Sequence, residues 1–195
     1  MARKTETRQK LLDISLQLMM THGYNATSIE EICKLAEVTK GGFFYYFKTK
    51  EMLGTEVIKH YWVTRKQQFA ESDWMTADSP LEQIQAFLLV VADVFMTDPK
   101  GYSCLAGSFA QELATTTPMF QELVSSIFAE WGEQVKPILQ SVIDSGTTQV
   151  DAAVLTDHMI VVIEGALILA LARQDRNVIA QQMDMLNMNL RHLFG

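Results

Sequence analysis

Cysteine and proline are scarce in this chain: 195 residues hold two cysteines and four prolines. Cys33 and Cys104 form neither a disulfide framework nor a metal-type or redox-type pair, which suits a reducing compartment such as the cytoplasm. So little proline leaves long stretches free to be helical, and no tract is low-complexity or repeated. The four histidines are scattered, and none is spaced with Cys, Asp or Glu as metal ligands require. Asp157 and His158 are adjacent, so on a helix they point apart. There is no nucleophile-elbow sequence and no phosphate-binding glycine loop. Enzyme chemistry, a metal and a cofactor are therefore not expected. No basic segment followed by an apolar run opens the chain, so a signal peptide is not expected. The most apolar stretch, Met159 to Ala172, is interrupted by Glu164 and reads as too short to span a bilayer. It is expected to be a buried or interface helix, with no membrane as partner.

Acidic residues outnumber basic ones, 23 to 16, but unevenly. Residues 1–66 hold 11 Lys+Arg against 7 Asp+Glu, a balance of +4, and the remainder holds 5 against 16, a balance of -11. A basic first third on an acidic body fits a nucleic-acid-binding head joined to a part that does not bind nucleic acid.

The stretch TSIEEICKLAEVTKGGFFYYFKTKEML, Thr27 to Leu53, is the most informative. Before it, Leu11, Leu12, Ile14, Leu16, Leu18 and Met19 form one broad helical face, and Gly23 is placed as the residue that ends that helix. Thr27 and Ser28 offer N-caps, with Glu30 or Glu31 three positions on. Ile29, Ile32, Cys33 and Ala36 give a short one-sided second helix, with Cys33 in its core. Glu37 and Val38 make a turn. Thr39 caps a third helix to about Tyr46, and Thr49 caps a fourth that runs to about Phe69. Gly41 and Gly42 each cost a helix ~1 kcal/mol relative to Ala. The third helix must therefore be held by packing, through Phe43 and Phe47. Its two glycines suit close approach to another surface, either DNA or a tightly crossing helix. Hydroxyls and backbone N–H groups at a helix start bind phosphate, and Lys40 suits a guanine edge or a phosphate. The basic tail Arg3 to Lys10 suits the DNA backbone or minor groove, unless it is a frayed terminus.

GYNATSIEEICKLAEVTKGGFFYYFKTKEML resembles the DNA-binding region of the TetR family of bacterial transcriptional regulators. The resemblance covers roughly the first 55 residues and implies a helix-turn-helix whose third helix enters the major groove. It implies phosphate contacts for Thr27 and Ser28, groove contacts for Thr39, Lys40, Gly41 and Gly42, backbone contacts for Tyr45 and Tyr46, and a phosphate contact for Lys50. The family usually has Tyr where this chain has Phe44, which has no hydroxyl to donate.

Beyond about residue 66 the chain reads as further helices. Ser79-Pro80 and Thr117-Pro118 are each a cap followed by a proline at the first helical position. The first opens a helix with Ile84, Phe87, Leu88, Val91 and Phe95 inward, ending at Asp98 to Gly101. A short helix spans Cys104 to Leu113. The second cap opens a long helix to about Asp144 in which Pro137 is expected to make a kink. The last two helices are expected at about Val150 to Ala172 and Asp175 to Leu193. PKGYSCLAGSFAQEL, Pro99 to Leu113, approximately resembles a segment of some TetR-family ligand domains. Phe69, Phe87, Phe95, Tyr102, Cys104, Phe109, Phe128, Trp131 and Glu164 are candidates to line an effector pocket, against the plainer reading of core side chains. The last two helices are apolar almost all round, which on so small a body implies a second subunit. The resemblance implies the same, a homodimer through a four-helix bundle. Leu167 is expected in the middle of that interface.

The expected fold is all-α, with a three-helix helix-turn-helix DNA-binding domain at 1–50 and a helical ligand-binding and dimerisation domain at 51–195. The expected function is a ligand-responsive regulator, a repressor released from a palindromic double-stranded operator by a small-molecule effector. A thiol-switched regulator acting through Cys104 is the second reading. A helical enzyme or carrier that keeps a helix-turn-helix shape is the third.

Overall fold

The computed structural model describes residues 2–98, 103–146 and 149–195. Among the described residues there are nine α-helices, a short 3-10 turn and no strand. They are α1 (Ala2–His22), α2 (Ile29–Ala36), α3 (Lys40–Tyr46), α4 (Lys50–Ala70), the 3-10 turn Asp73–Thr76, α5 (Pro80–Thr97), α6 (Leu105–Leu113), α7 (Pro118–Ser145), α8 (Ala152–Arg173) and α9 (Asn177–Phe194).

Local chemistry sets most boundaries. Gly23 has φ +84°, a left-handed conformation that ends α1. The Ser28 hydroxyl accepts from the Glu31 N–H, and the Thr39 hydroxyl from the Gly42 N–H, so both expected caps are made. Glu37 ends α2 at φ 58°, its N–H reaching back to Cys33 and Lys34 carbonyls. Ser79 and Glu82 form a reciprocal capping box in front of α5. The Thr49 hydroxyl receives the Met52 N–H, and Asp151 receives those of Ala153 and Val154 at the head of α8. Pro137 lies inside α7, which continues through it as one helix.

The chain folds as two compact units, and neither is a single stretch of sequence. The first comprises Met1–Arg65 with Leu105–Ser125, so α6 and the start of α7 belong with the helix-turn-helix. Its core holds Leu11, Leu16, Met19, Ile32, Phe43, Phe47, Leu53 and Ile58, all essentially inaccessible. Phe43 and Phe47 thus hold α3 as expected, and Cys33 is buried in α2. Tyr24, Phe109 and Phe120 form an edge-to-face aromatic cluster in the same unit, with ring centroids 5.4 Å apart for each pair.

The second unit comprises Lys66–Cys104 with Ser126–Gly195. Here α9 packs on both α5 and α8. Phe69, Phe87, Trp74 and Trp131 form its aromatic core, with Trp74 and Phe87 centroids 5.0 Å apart and Phe69 stacked on Trp131 at 6.2 Å.

Two expectations change. The apolar stretch around Glu164 belongs to a helix of 22 residues, so α8, like α5, is by length and composition long enough to cross a bilayer. The expected excess of apolar surface on α8 and α9 is present, but it does not include Leu167. That side chain is 2% exposed within a single chain and is core. The large apolar side chains left outside are Val154, Val161 and Ile168, seven residues apart on α8, together with Leu169 and Leu171, and Met185, Met188 and Leu193 on α9.

Candidate functional site

The sequence motif builds one continuous outer face on the first unit. Thr39, Lys40 and Gly41 at the start of α3 are exposed, as are Ser28 at the start of α2 and Tyr45 at the far end of α3. A shallow cleft of about 320 Å³ lies beside them, lined by Asn25, Thr27, Ser28, Ile29, Glu30, Lys40, Phe44 and Lys50. Four of the nine expected DNA-contacting residues therefore meet at one depression between the helix-turn-helix elements. Asn25 is not singled out by the sequence, while Ile29 belongs to the expected α2 face and Glu30 is an expected capping partner, and none of the three is expected among the DNA contacts.

The glycines of α3 have no role in internal packing. A Cβ at Gly41 would meet nothing nearer than the Thr39 hydroxyl at 3.9 Å. At Gly42 it would lie 3.4 Å from the same oxygen and 3.8 Å from Val38. Among the described residues no helix crosses there, which goes against the tight-crossing alternative. The missing side chains leave room on the outer surface, where an approaching duplex would come closest to the backbone.

Two cations flank the cleft, and both have protein partners. Lys40 pairs with Glu30 across the cleft, and each holds the other in its charged form: the lysine is raised and the glutamate lowered from their ordinary values. The Lys50 ammonium donates to the Asn25 carbonyl at 3.3 Å and sits 4.4 Å above the Tyr24 ring. Burial pulls its pKa below the usual lysine value, against the opposing fields of Glu112 and Glu51. Burial also pushes the Tyr24 phenol up to about 12.

Thr27 departs from expectation. It is fully buried, and its hydroxyl donates to the Gly23 carbonyl at 2.8 Å. Its side chain braces the turn into α2, so the hydroxyl available for phosphate is that of Ser28. The basic tail is also different: Ala2 onward is helix, not a loose arm. Its charges engage the protein, with Arg8 on Glu56 at 2.6 Å, Lys10 on Glu37 at 3.0 Å and Lys4 over the Tyr45 ring at 4.6 Å.

The candidate pocket residues divide. Phe69, Phe87, Phe95 and Trp131 are buried core of the second unit, and Phe128 is half-buried there. Phe109 belongs to the first unit, in the cluster with Tyr24 and Phe120. Tyr102 lies outside the described residues. Cys104 is buried, and its thiol donates to the Glu164 carboxylate. Trp74, packed on Phe87, was missed because it stands in a 3-10 turn with no helical periodicity around it.

A helix-turn-helix with an exposed, glycine-bearing recognition helix, in one chain with an all-helical body, defines a DNA-binding transcriptional regulator. Residues 11–57 match the family model of bacterial regulatory proteins of the tetR family, and residues 80–185 match that of the LmrA/YxaF-like transcriptional regulator C-terminal domain. The chain belongs to the TetR family of bacterial transcriptional regulators and is not an enzyme. It is 26% identical over 183 residues to the HTH-type transcriptional repressor DhaR of Mycobacterium sp. (strain GP1), covering 91% of this chain and 89% of that one. It is 25% identical over 192 residues to the HTH-type transcriptional regulator YxaF of Bacillus subtilis (strain 168), covering 95% and 97%. The crystal structure of a TetR transcriptional regulator from Chloroflexus aurantiacus J-10-FL superposes with a TM-score of 0.86 at 25% identity, over 98% of this chain and 97% of that one.

Proposed function

We propose that the protein is a cytoplasmic repressor that binds a palindromic operator as a homodimer and leaves it when a small-molecule effector enters its helical body. The observation that carries the DNA-binding part is the outward face of α3, where Thr39, Lys40, Gly41 and Gly42 present a hydroxyl, a cation and two bare backbone positions. Ser28, Tyr45, Tyr46 and Lys50 are the accompanying contacts to the phosphate backbone. Two such heads on a two-fold axis read half-sites ~34–36 Å apart in consecutive major grooves. The exposed apolar stripe Val154, Val161 and Ile168 on α8, with Met185 and Met188 on α9, supports a dimer through these two helices. The effector would bias the spacing of the heads, and α4, which runs on from the first unit into the second, is the element that would carry the change. That DhaR is named a repressor supports repression as the mode of action.

Selection of bound duplexes from a random pool tests this reading. A palindromic sequence should emerge, and its affinity should fall steeply as salt rises, because cations and hydroxyls meet phosphate. A flat salt dependence would remove the docking described here. The thiol-switched reading has a weaker basis, since Cys104 is buried. A Cys104→Ser protein should still be released by effector.

A further inference from the structure

Within the second unit one acid interrupts the most apolar helix of the chain. Between Met159 and Ala172 the only charged residue is Glu164. Other atoms of the residue keep some exposure, whereas its Oε1 is sealed from solvent and takes no hydrogen bond from the described residues. The Cys104 thiol donates to the carboxylate, and no Lys, Arg or His pairs with it among the described residues. A buried carboxylate that no described residue matches with a donor to Oε1 or a counter-charge is costly, and an apolar side chain at the same place would cost nothing of the kind. Burial accordingly pushes its pKa up to about 7.

The chemistry of the unmatched oxygen selects its partner. An anion would place a second negative charge against the first. A neutral hydroxyl would supply the missing donor but no charge. A protonated amine supplies both, and a charge-assisted N–H to carboxylate bond is roughly twice as strong as a neutral one. Residues 67–195, with 5 basic against 16 acidic side chains, give the body a field that draws in cations. One turn back on the same helix the half-buried Ile160 is an apolar neighbour that suits an organic body.

We propose that Glu164 is the anionic anchor of the effector site and that the effector is an organic cation, a protonated amine on an apolar body, whose N–H group donates to Oε1 while the Cys104 thiol holds the carboxylate in place. This rests on the reading that the protein responds to an effector at all, and it names the chemistry of that effector.

The test uses the full-length protein and three probes that share one chain and differ in the head group: hexylamine, 1-hexanol and hexanoate. At pH 6.5, where Glu164 still holds its proton in most molecules, hexylamine should bind most tightly, 1-hexanol more weakly and hexanoate not measurably. Binding of the amine draws Glu164 into its charged form and expels its proton. The calorimetric heat should therefore depend on the ionisation enthalpy of the buffer. Glu164→Gln should lower hexylamine affinity by about tenfold or more, leave 1-hexanol nearly unchanged and abolish the buffer dependence. A merely structural role for Glu164 would shift the melting temperature but not the proton count. Hexanoate binding as tightly as hexylamine, an amine affinity indifferent to Glu164→Gln, or no binding by any of the three overturns the assignment. Retardation of operator DNA by the probe-free protein is measured alongside. Its absence would defeat the regulator reading itself, whereas its presence together with a failed amine preference would defeat only the cationic effector.

Discussion

The carboxylate of Glu112, in the last turn of α6, accepts the backbone N–H of Tyr24 at 3.1 Å and that of the next residue, Asn25, at 2.9 Å. These residues stand 88 positions apart in the chain, and the bond closes the α1–α2 turn that leads into the helix-turn-helix. Gly23 belongs to the same arrangement, since a Cβ there would come within 2.6 Å of the Glu112 Oε1. Helix α6 is thus part of the frame of the DNA-binding unit, although it lies far along the sequence from it.

Glu112→Ala should therefore weaken operator binding without touching DNA. The two N–H groups it satisfies would be left to water, at a cost of about 1–2 kcal/mol in a urea unfolding experiment. The turn carries Asn25 and Thr27, which line the cleft, so gel retardation should show a several-fold loss of affinity. Wild-type stability together with wild-type affinity would show that the bonds hold nothing.

The Lys40–Glu30 pair makes a prediction of opposite sign. Glu30 holds the cation of the recognition helix and adds a negative charge to a face that must meet phosphate. Glu30→Gln should tighten operator binding on the order of 3–10-fold at low salt, with the gain shrinking as salt rises. Lys40→Ala should weaken binding, and the double variant should bind better than Lys40→Ala but less tightly than Glu30→Gln, because the repelling charge is gone while the cation is still missing. If Glu30→Gln weakens binding, the glutamate is itself a contact and the competition described here does not occur.

Glu164→Gln should change how stability depends on pH. The carboxyl titrates near 4.5 when unfolded and at about 7 when folded. Between those values the native state holds the proton more tightly, so stability falls as pH rises, and the loss is complete above the folded value. The glutamine variant lacks this loss. It should be flatter between pH 5 and pH 8 and more stable than wild type at pH 8 by at most about 3 kcal/mol. Thermal melts across that range decide it: parallel curves for the two proteins would show that Glu164 stays ionised throughout.

Local signals carried the sequence reading, and long-range ones escaped it. Caps at Ser28, Thr39, Thr49 and Ser79 were legible because each acts on an amide within three residues. The faces of α1, α2 and α5 were legible because they repeat at the helical period. The role of Glu112 was not, because its partners lie 87 and 88 residues away. Gly54 was equally silent. Inside α4 it reads as an indifferent residue, yet a Cβ there would lie 2.7 Å from the Tyr24 ring and 3.0 Å from that of Phe120. Gly54→Ala should thus cost about 1–3 kcal/mol through overpacking, despite the better helix propensity of alanine. A neutral or stabilising result in a urea titration would show that the aromatic cluster yields. Leu167 illustrates the opposite error. An all-round apolar helix does not reveal which side meets the rest of its own chain, and neighbouring positions 167 and 168 fall on different sides of that division.

Ile168, and not Leu167, is therefore the position at which the dimer is tested. Val154, Val161 and Ile168 lie on one stripe of α8, and Val161 is 66% exposed in a single chain. A lysine at 168 would meet solvent in a monomer and cost the fold little. In a two-fold bundle it would be forced against apolar partners and its own symmetry mate, at several kcal/mol per buried ion even after relaxation. Ile168→Lys should keep its helical circular dichroism, sediment as a monomer, and lose operator affinity, because one head reads only a half-site. Leu167→Lys should behave differently, losing helical signal because its charge enters the core of each chain. A wild-type protein that sediments as a monomer at micromolar concentration, or an Ile168→Lys dimer that still binds a full palindrome, would defeat the assembly through α8 and α9.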